Sequence, residues 1–151
     1  MSTNGTEPQW RILDDAEPGV LSSHLSRDEC MSLLRTASVG RLVTNVREVI
    51  DVLPLNYSIL DDEILLLTTP GSKLVELTIH PTTLFEVDEI TASNAWSVVV
   101  RGTARILEHA DEILRAEAVG VPTILPDRTV YVAIHPDSIT GRWIRRERTD
   151  A

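Results

Sequence analysis

Apolar and polar positions change period along the chain. After a polar start, Cys30, Leu33, Leu34 and Ala37 recur at three- and four-residue spacing, as on a helix with one buried face. Ser26 and Glu29 form a capping box at its start, each side chain satisfying the other's backbone N–H, so a helix is expected from about 27 to 37. From Val39 the pattern turns strand-like, with Val-, Ile- and Leu-rich runs bounded by turn residues. Strands are predicted over 39–46, 49–60 and 63–69, with Asp61-Asp62 as the tight turn of a hairpin. Pro70-Gly71 breaks that run, and 72–79 reads as a short helix ended by His80-Pro81, since a residue before proline is held out of the helical region. Strands at 82–90 and 95–107 precede a helix at 110–119, whose first turn carries Asp111 and Glu112 where the dipole favours them. A hairpin, 129–135 and 138–145, is expected to close the chain around Pro136-Asp137. Six or seven strands, three short helices and no βαβ alternation predict a mainly β protein, a β-barrel with short helices.

Residues 1–24 are mostly polar, with Pro8, Pro18 and two glycines, and read as a loose arm. Trp10, Ile12 and Leu13 interrupt that polarity and are candidates to dock on the body or on a second subunit. Residues 25–146 then make one domain and 147–151 a tail, in keeping with a chain of 151 residues.

Charge removes several partners. Against 14 Lys and Arg stand 23 Asp and Glu, a net charge of −9. Such a surface repels phosphate backbones, so neither nucleic acid nor an anionic membrane is expected. No apolar run approaches the ~18 residues of a span, and Met1–Glu7 lacks the basic-then-apolar order of a signal peptide. A cytoplasmic location is the expectation. The single cysteine, Cys30, permits no internal disulfide and reads as a small core residue. His24, His80, His109 and His135 lack metal-ligand spacing, so no metal is expected, and neither Gly-x-Ser-x-Gly nor Gly-x-Gly-x-x-Gly occurs.

One anionic ligand is still compatible with this surface. Thr68-Thr69-Pro70-Gly71-Ser72-Lys73 joins a strand end to a helix start, where free backbone N–H groups, three hydroxyls and an ammonium suit a phosphate. The same residues also suit an ordinary capping turn with a solvated lysine. Upstream, Val52-Leu53-Pro54-Leu55-Asn56-Tyr57 places a proline within a strand, which leaves part of its ladder free. Downstream come Phe85-Glu86-Val87-Asp88-Glu89 and Trp96-Ser97-Val98-Val99-Val100-Arg101-Gly102.

These four blocks, in this order and spacing, resemble the FMN-binding split β-barrel families, in particular the short bacterial pyridoxamine 5'-phosphate-oxidase-like branch. The resemblance runs from about Leu25 to Ile144. It implies FMN at a homodimer interface, with the flavin ring along Leu53, Pro54, Leu55 and Asn56, the phosphate on Thr68, Ser72 and Lys73, and a further cofactor contact from Ser97. Trp96 either stacks near the ring or plugs the barrel, Trp143 is structural, and Arg142 is a weaker phosphate candidate. True pyridoxamine-phosphate oxidases carry Arg-Lys in the phosphate loop and an Arg-x-His element near the end. Here Ser72 precedes a lone Lys73 and the chain ends Arg145-Arg146-Glu147-Arg148-Thr149-Asp150-Ala151, so vitamin B6 oxidation is not implied. A flavin-dependent oxidoreductase or reductase of unknown small-molecule substrate is the leading expectation. A deazaflavin F420 reductase and a non-enzymatic flavin binder are its competitors.

Overall fold

The computed structural model describes residues 11–12, 20–76 and 81–146. Its frame is one antiparallel sheet in the order β1 (Arg11–Ile12), β2 (Val20–His24), β9 (Val130–Arg146), β8 (Asn94–Ile106), β7 (Thr82–Ile90), β3 (Val39–Val46), β4 (Val49–Asn56). Two shorter strands, β5 (Ser58–Leu60) and β6 (Glu63–Thr68), leave this path, β6 pairing with the first part of β9. The sheet curls into a split barrel because β9 serves two neighbours. Val130–Ile134 pairs with β6, and Arg142–Arg146 pairs with β2.

Both tight hairpins follow from backbone handedness. Arg47 and Glu48 in the β3–β4 turn, and Asp61 and Asp62 in the β5–β6 turn, all have positive φ, which matches the right-handed twist of the flanking strands. The final segment departs from expectation. Pro136-Asp137 makes no hairpin turn, since Val130–Arg146 is one strand, paired with β8 from Val132 to Arg145 on both sides of it. The proline instead marks a register shift opposite Arg101 and Gly102, a place where a missing N–H is tolerated. Gly102 is required there, for an added Cβ would lie 2.4 Å from the His135 carbonyl oxygen.

The expected strand 49–60 is likewise two strands, broken at Tyr57, whose side chain turns into the core and whose N–H donates to Ser38. The first helix, α1 (Arg27–Leu34), starts on the expected capping box but stops three residues earlier than its apolar period suggests. The Thr36 N–H turns back to the Leu33 carbonyl and its hydroxyl does the same. Val20–His24, expected within a loose arm, is a sheet strand. Trp10 and Leu13 lie outside the described residues, as does the second half of the helix expected at 72–79, of which α2 (Lys73–Glu76) is described.

The main core fills the curl and contains Leu42, Phe85, Val87, Val98, Val100 and Ile134 from the sheet with Cys30, Met31 and Leu34 of α1. Cys30 lies so close to β9 that a Cβ on Gly141 would meet its Sγ at 2.5 Å. Burial, helped by Glu29, pushes the thiol up to about 11, which fits a packing residue and not a nucleophile. A smaller core under α3 (Ala110–Val119) joins Leu65, Leu107, Ala116, Val121 and Ala133. Among the described residues no helix is long and apolar enough to cross a membrane.

Candidate functional site

The register assigns the sequence-nominated residues to two faces of one sheet. Residues opposite each other in an antiparallel pair point to the same side, and neighbours along a strand point to opposite sides. Leu53 pairs with buried Leu42, and Leu55 with buried Gly40, so both leucines face the inside of the curl. Pro54 and Asn56 pair with Arg41 and Val39 and face outward. Ser97 pairs with Asp88 on one side and Arg142 on the other, also on the outer face.

The inner residues border a cavity of about 280 Å³ lined by Leu53, Leu55, Thr68, Thr69, Ser72, Leu74, Leu125 and Arg128. Four of the eight nominated residues are here together: Leu53, Leu55, Thr68 and Ser72. The local sequence builds the polar wall. β6 ends at Thr68, and Pro70-Gly71 turns the chain, with Gly71 at φ 75° and the Ser72 N–H directed at the Thr69 carbonyl. Proline followed by a positive-φ glycine is the pairing such a turn demands. The turn brings the Thr68 and Ser72 hydroxyls within 2.8 Å of each other. Lys73 opens α2, and its side chain lies outside the described part of the structure. Four described residues of helix are too few to supply a helix-end field, so a phosphate here would rely on hydroxyls and cations.

Arg128 is the residue that sequence reasoning missed. One Nη donates to the Leu67 carbonyl at 3.2 Å, which fixes the guanidinium beside the cavity and leaves its other N–H groups available. Among the described residues it makes no ion pair. Among the described residues no carboxylate lines the cavity, in a chain of net charge −9. The polar wall therefore offers hydroxyls and one cation opposite a leucine wall. β4 adds a further resource, being the last strand of the sheet path with β3 as its one strand partner there. No periodicity signals Arg128, because the loop from Val121 to Thr129 has none.

Ser97 borders a different cavity, of about 200 Å³, with Glu86, Asp88, Ile90, Ala95, Trp96, Arg142 and Ile144. Arg41 bridges the two carboxylates there, at 3.0 Å from Glu86 and 2.9 Å from Asp88. Desolvation, and then Asp88, push the Glu86 carboxyl up to about 7 in spite of Arg41. Trp96 is buried in the main core and lies 7% exposed, which favours its role as a plug. Arg142 is exposed on this outer face, away from Thr68 and Ser72.

The curled antiparallel sheet, with short helices inserted between its strands, defines a split-barrel protein. Residues 26–143 match the pyridoxamine 5'-phosphate oxidase family, and the chain belongs to it. An uncharacterized protein of Mycobacterium tuberculosis is 27% identical over 134 residues, covering 83% of this chain and 88% of that one. Among solved structures, the FAD binding protein from Mycobacterium smegmatis is 35% identical, with a TM-score of 0.71 over 80% of this chain and 98% of that one. A FAD-binding protein from Mesorhizobium loti is 25% identical, with a TM-score of 0.72 over 85% of this chain and 100% of that one.

Proposed function

We propose that the chain is a flavin-binding protein that holds a flavin phosphate against Thr68, Ser72, Lys73 and Arg128 and the flavin ring along Leu53, Pro54, Leu55 and Asn56. One observation carries this reading: the inner cavity joins an apolar wall on β4, the last strand of the described sheet path, to a polar wall of hydroxyls and an arginine with no ion pair among the described residues. An apolar planar ring bearing an anionic tail matches both halves. FMN is the form the sequence resemblance implies. FAD, after which two of the similar structures are described, shares the same ring, ribityl chain and first phosphate. F420, the competing cofactor, is expected to need a longer basic surface than Lys73 and Arg128 supply.

When bound, the isoalloxazine supplies hydride or electron transfer, and the protein contributes position and electrostatics. Edge-strand amides and carbonyls of β4 are suited to hold the polar rim of the ring, while Leu53 and Leu55 keep water from one face. This favours an oxidoreductase or reductase acting on a small molecule, in the cytoplasm. Ser72 before a lone Lys73, where true pyridoxamine-phosphate oxidases carry Arg-Lys, argues against pyridoxamine phosphate as substrate.

The site is expected to be completed by a second copy of the chain. Its volume in one chain, about 280 Å³, sits at the lower edge of the about 300–1,000 Å³ common for small-molecule sites. The outer face also exposes Val39 and Ile90 toward one end of the strands and Ile50 and Val52 toward the other, apolar side chains that a second copy would cover. Two measurements test the proposal. Freshly purified protein should show flavin absorption, or acquire it with FMN or FAD, and should bind riboflavin more weakly. Light scattering should give about twice the chain mass of 16.8 kDa. A colourless protein that takes up no flavin, or a flavin-loaded monomer, would overturn the respective part.

A further inference from the structure

The outer cavity of about 200 Å³ is built by three neighbouring cross-strand rows of the sheet. Ile90, Ala95 and Ile144 form an apolar row across β7, β8 and β9. Asp88, Ser97 and Arg142 form the next, continued on β2 by His24. Glu86 lies in the third, between Arg41 on β3 and Val99 on β8. On the first row Ile90 is 78% exposed, which leaves the apolar wall without cover.

The charges around this cavity do not cancel. Arg41 holds both carboxylates, at 3.0 Å from Glu86 and 2.9 Å from Asp88. Desolvation, and then Asp88, push Glu86 up to about 7. Just below neutral pH Glu86 is therefore mostly protonated, and Asp88 alone balances Arg41. Arg142, set apart from Asp88 by Ser97, has no hydrogen bond or ion pair among the described residues. The other charged or titratable groups on this side are Arg101, one row beyond Glu86 on β8, and His24 beside Arg142. An unmatched guanidinium next to an apolar wall, in a chain of net charge −9, suits an anion with an apolar body. A single unmatched cation fits a monoanion better than a phosphate dianion. The volume is that of about seven waters at about 30 Å³ each, room for one ring or a short chain with its carboxylate. We propose that the outer cavity binds a small apolar monocarboxylate, its carboxylate on Arg142 and its body against Ile90, Ala95 and Ile144. This site lies on the opposite face of the sheet from the inner cavity and stands whether or not flavin binds.

Titration of the full-length protein with benzoate, and with benzamide as its neutral isostere, tests it when followed by NMR of the backbone amides. At about pH 6 benzoate should shift the amides of Ile90, Ala95, Ser97 and Ile144. It should bind at least about tenfold more tightly than benzamide, the scale of one charge-assisted contact. Arg142→Ala should weaken benzoate by about tenfold, the lower end for such a contact because Arg142 is exposed, and leave benzamide unchanged. Arg142→Lys should recover part of the loss, since it restores charge without the planar fork. Ile90→Ser should weaken both probes. Between about pH 6 and about pH 8 wild-type affinity for benzoate should fall by about threefold as Glu86 ionises, the scale of one exposed charge pair. Glu86→Gln should remove that fall, and His24→Gln should keep it. Thermal melting without ligand checks that each variant folds. Equal affinity for the two probes, shifts confined to the inner cavity, or unchanged benzoate affinity in Arg142→Ala would overturn the site. A fall with pH that survives in Glu86→Gln and vanishes in His24→Gln would overturn the charge balance on which the preference for an anion rests.

Discussion

Tyr57→Phe isolates one hydrogen bond that holds the cavity-forming strand to the first helix. The phenol is 2% exposed and its O–H donates to the carbonyl of Leu34, the last residue of α1. A carbonyl in the last helical turn has no partner within the helix, and Leu34 is fully buried, so water does not replace the phenol. Phenylalanine keeps the edge-on contact with Phe85, centroids 5.2 Å apart at 75°, and removes the donor alone. Stranding a buried acceptor costs about 1–3 kcal/mol. For a domain of this size about 2 kcal/mol lowers Tm by about 4–8 °C. Urea unfolding should show a lower midpoint with an unchanged m-value, because the surface exposed on unfolding is the same. Burial pushes the phenol up to about 12, so the difference between the two proteins should persist across neutral and mildly basic pH. The Tyr57 N–H bond to Ser38, 3.0 Å, survives the change, and flavin affinity should therefore fall much less than stability. Equal midpoints for the two proteins would mean that the Leu34 carbonyl has another donor and that the phenol does not tie β4 to α1.

Thr68→Val removes a hydroxyl that is 4% exposed and 2.8 Å from Ser72; it should weaken FMN by about threefold to tenfold and leave riboflavin unaffected, measured by fluorescence titration. Lys73→Ala should cost more, about tenfold to a hundredfold for FMN, and unchanged affinity would remove Lys73 from the site. Glu86 has a folded pKa of about 7 against an ordinary 4.5, so between these values the folded state holds a proton that the unfolded state has released. Its contribution must then reduce stability as pH rises from about 5 to about 7. Glu86→Gln should be more stable than wild type above pH 7 and should show a flatter decline across that window, by denaturation at a series of pH values.

Local chemistry made much of the fold readable, and long-range packing hid the rest. The capping box of α1, the Asp61-Asp62 turn and the strands 82–90 and 95–107 each declare themselves within a few residues. The errors share a cause. Pro136-Asp137 has the composition of a hairpin turn, but its role is decided by β6, β8 and β2, which claim Val130–Arg146 as one strand. The break at Tyr57 depends on the Leu34 carbonyl, 23 positions away, which no window on the sequence contains. Of the residues lining the inner cavity, Thr68, Ser72, Leu53 and Leu55 lie in or beside patterned elements, which is why the sequence nominates them. Arg128 lies in an unpatterned loop and meets them only because Thr129 pairs with Thr68.

The division of the nominated residues between two faces bears on how many chains a working site needs. Leu53, Leu55, Thr68 and Ser72 share the inner cavity, while Pro54, Asn56 and Ser97 face outward by register. A ligand at the edge of β4 can reach Pro54 and Asn56 by lapping over that edge. Ser97 is different, because β7 and β3 stand between β8 and β4 on the sheet. Neighbouring strands lie about 4.8 Å apart, which puts Ser97 about 14 Å across the outer face from β4. No single flavin ring spans from the inner cavity around the β4 edge to that point. Either Ser97 has no part in the site, or it serves the cavity of another chain laid against this face. Of the exposed apolar residues on this face, Val39 and Ile90 lie near the level of Ser97 on β3 and β7 and favour the second alternative, since they supply apolar area for that contact. The two alternatives part in one measurement: Ser97→Ala lowers flavin affinity in the dimer if the second holds, and leaves it untouched if the first does.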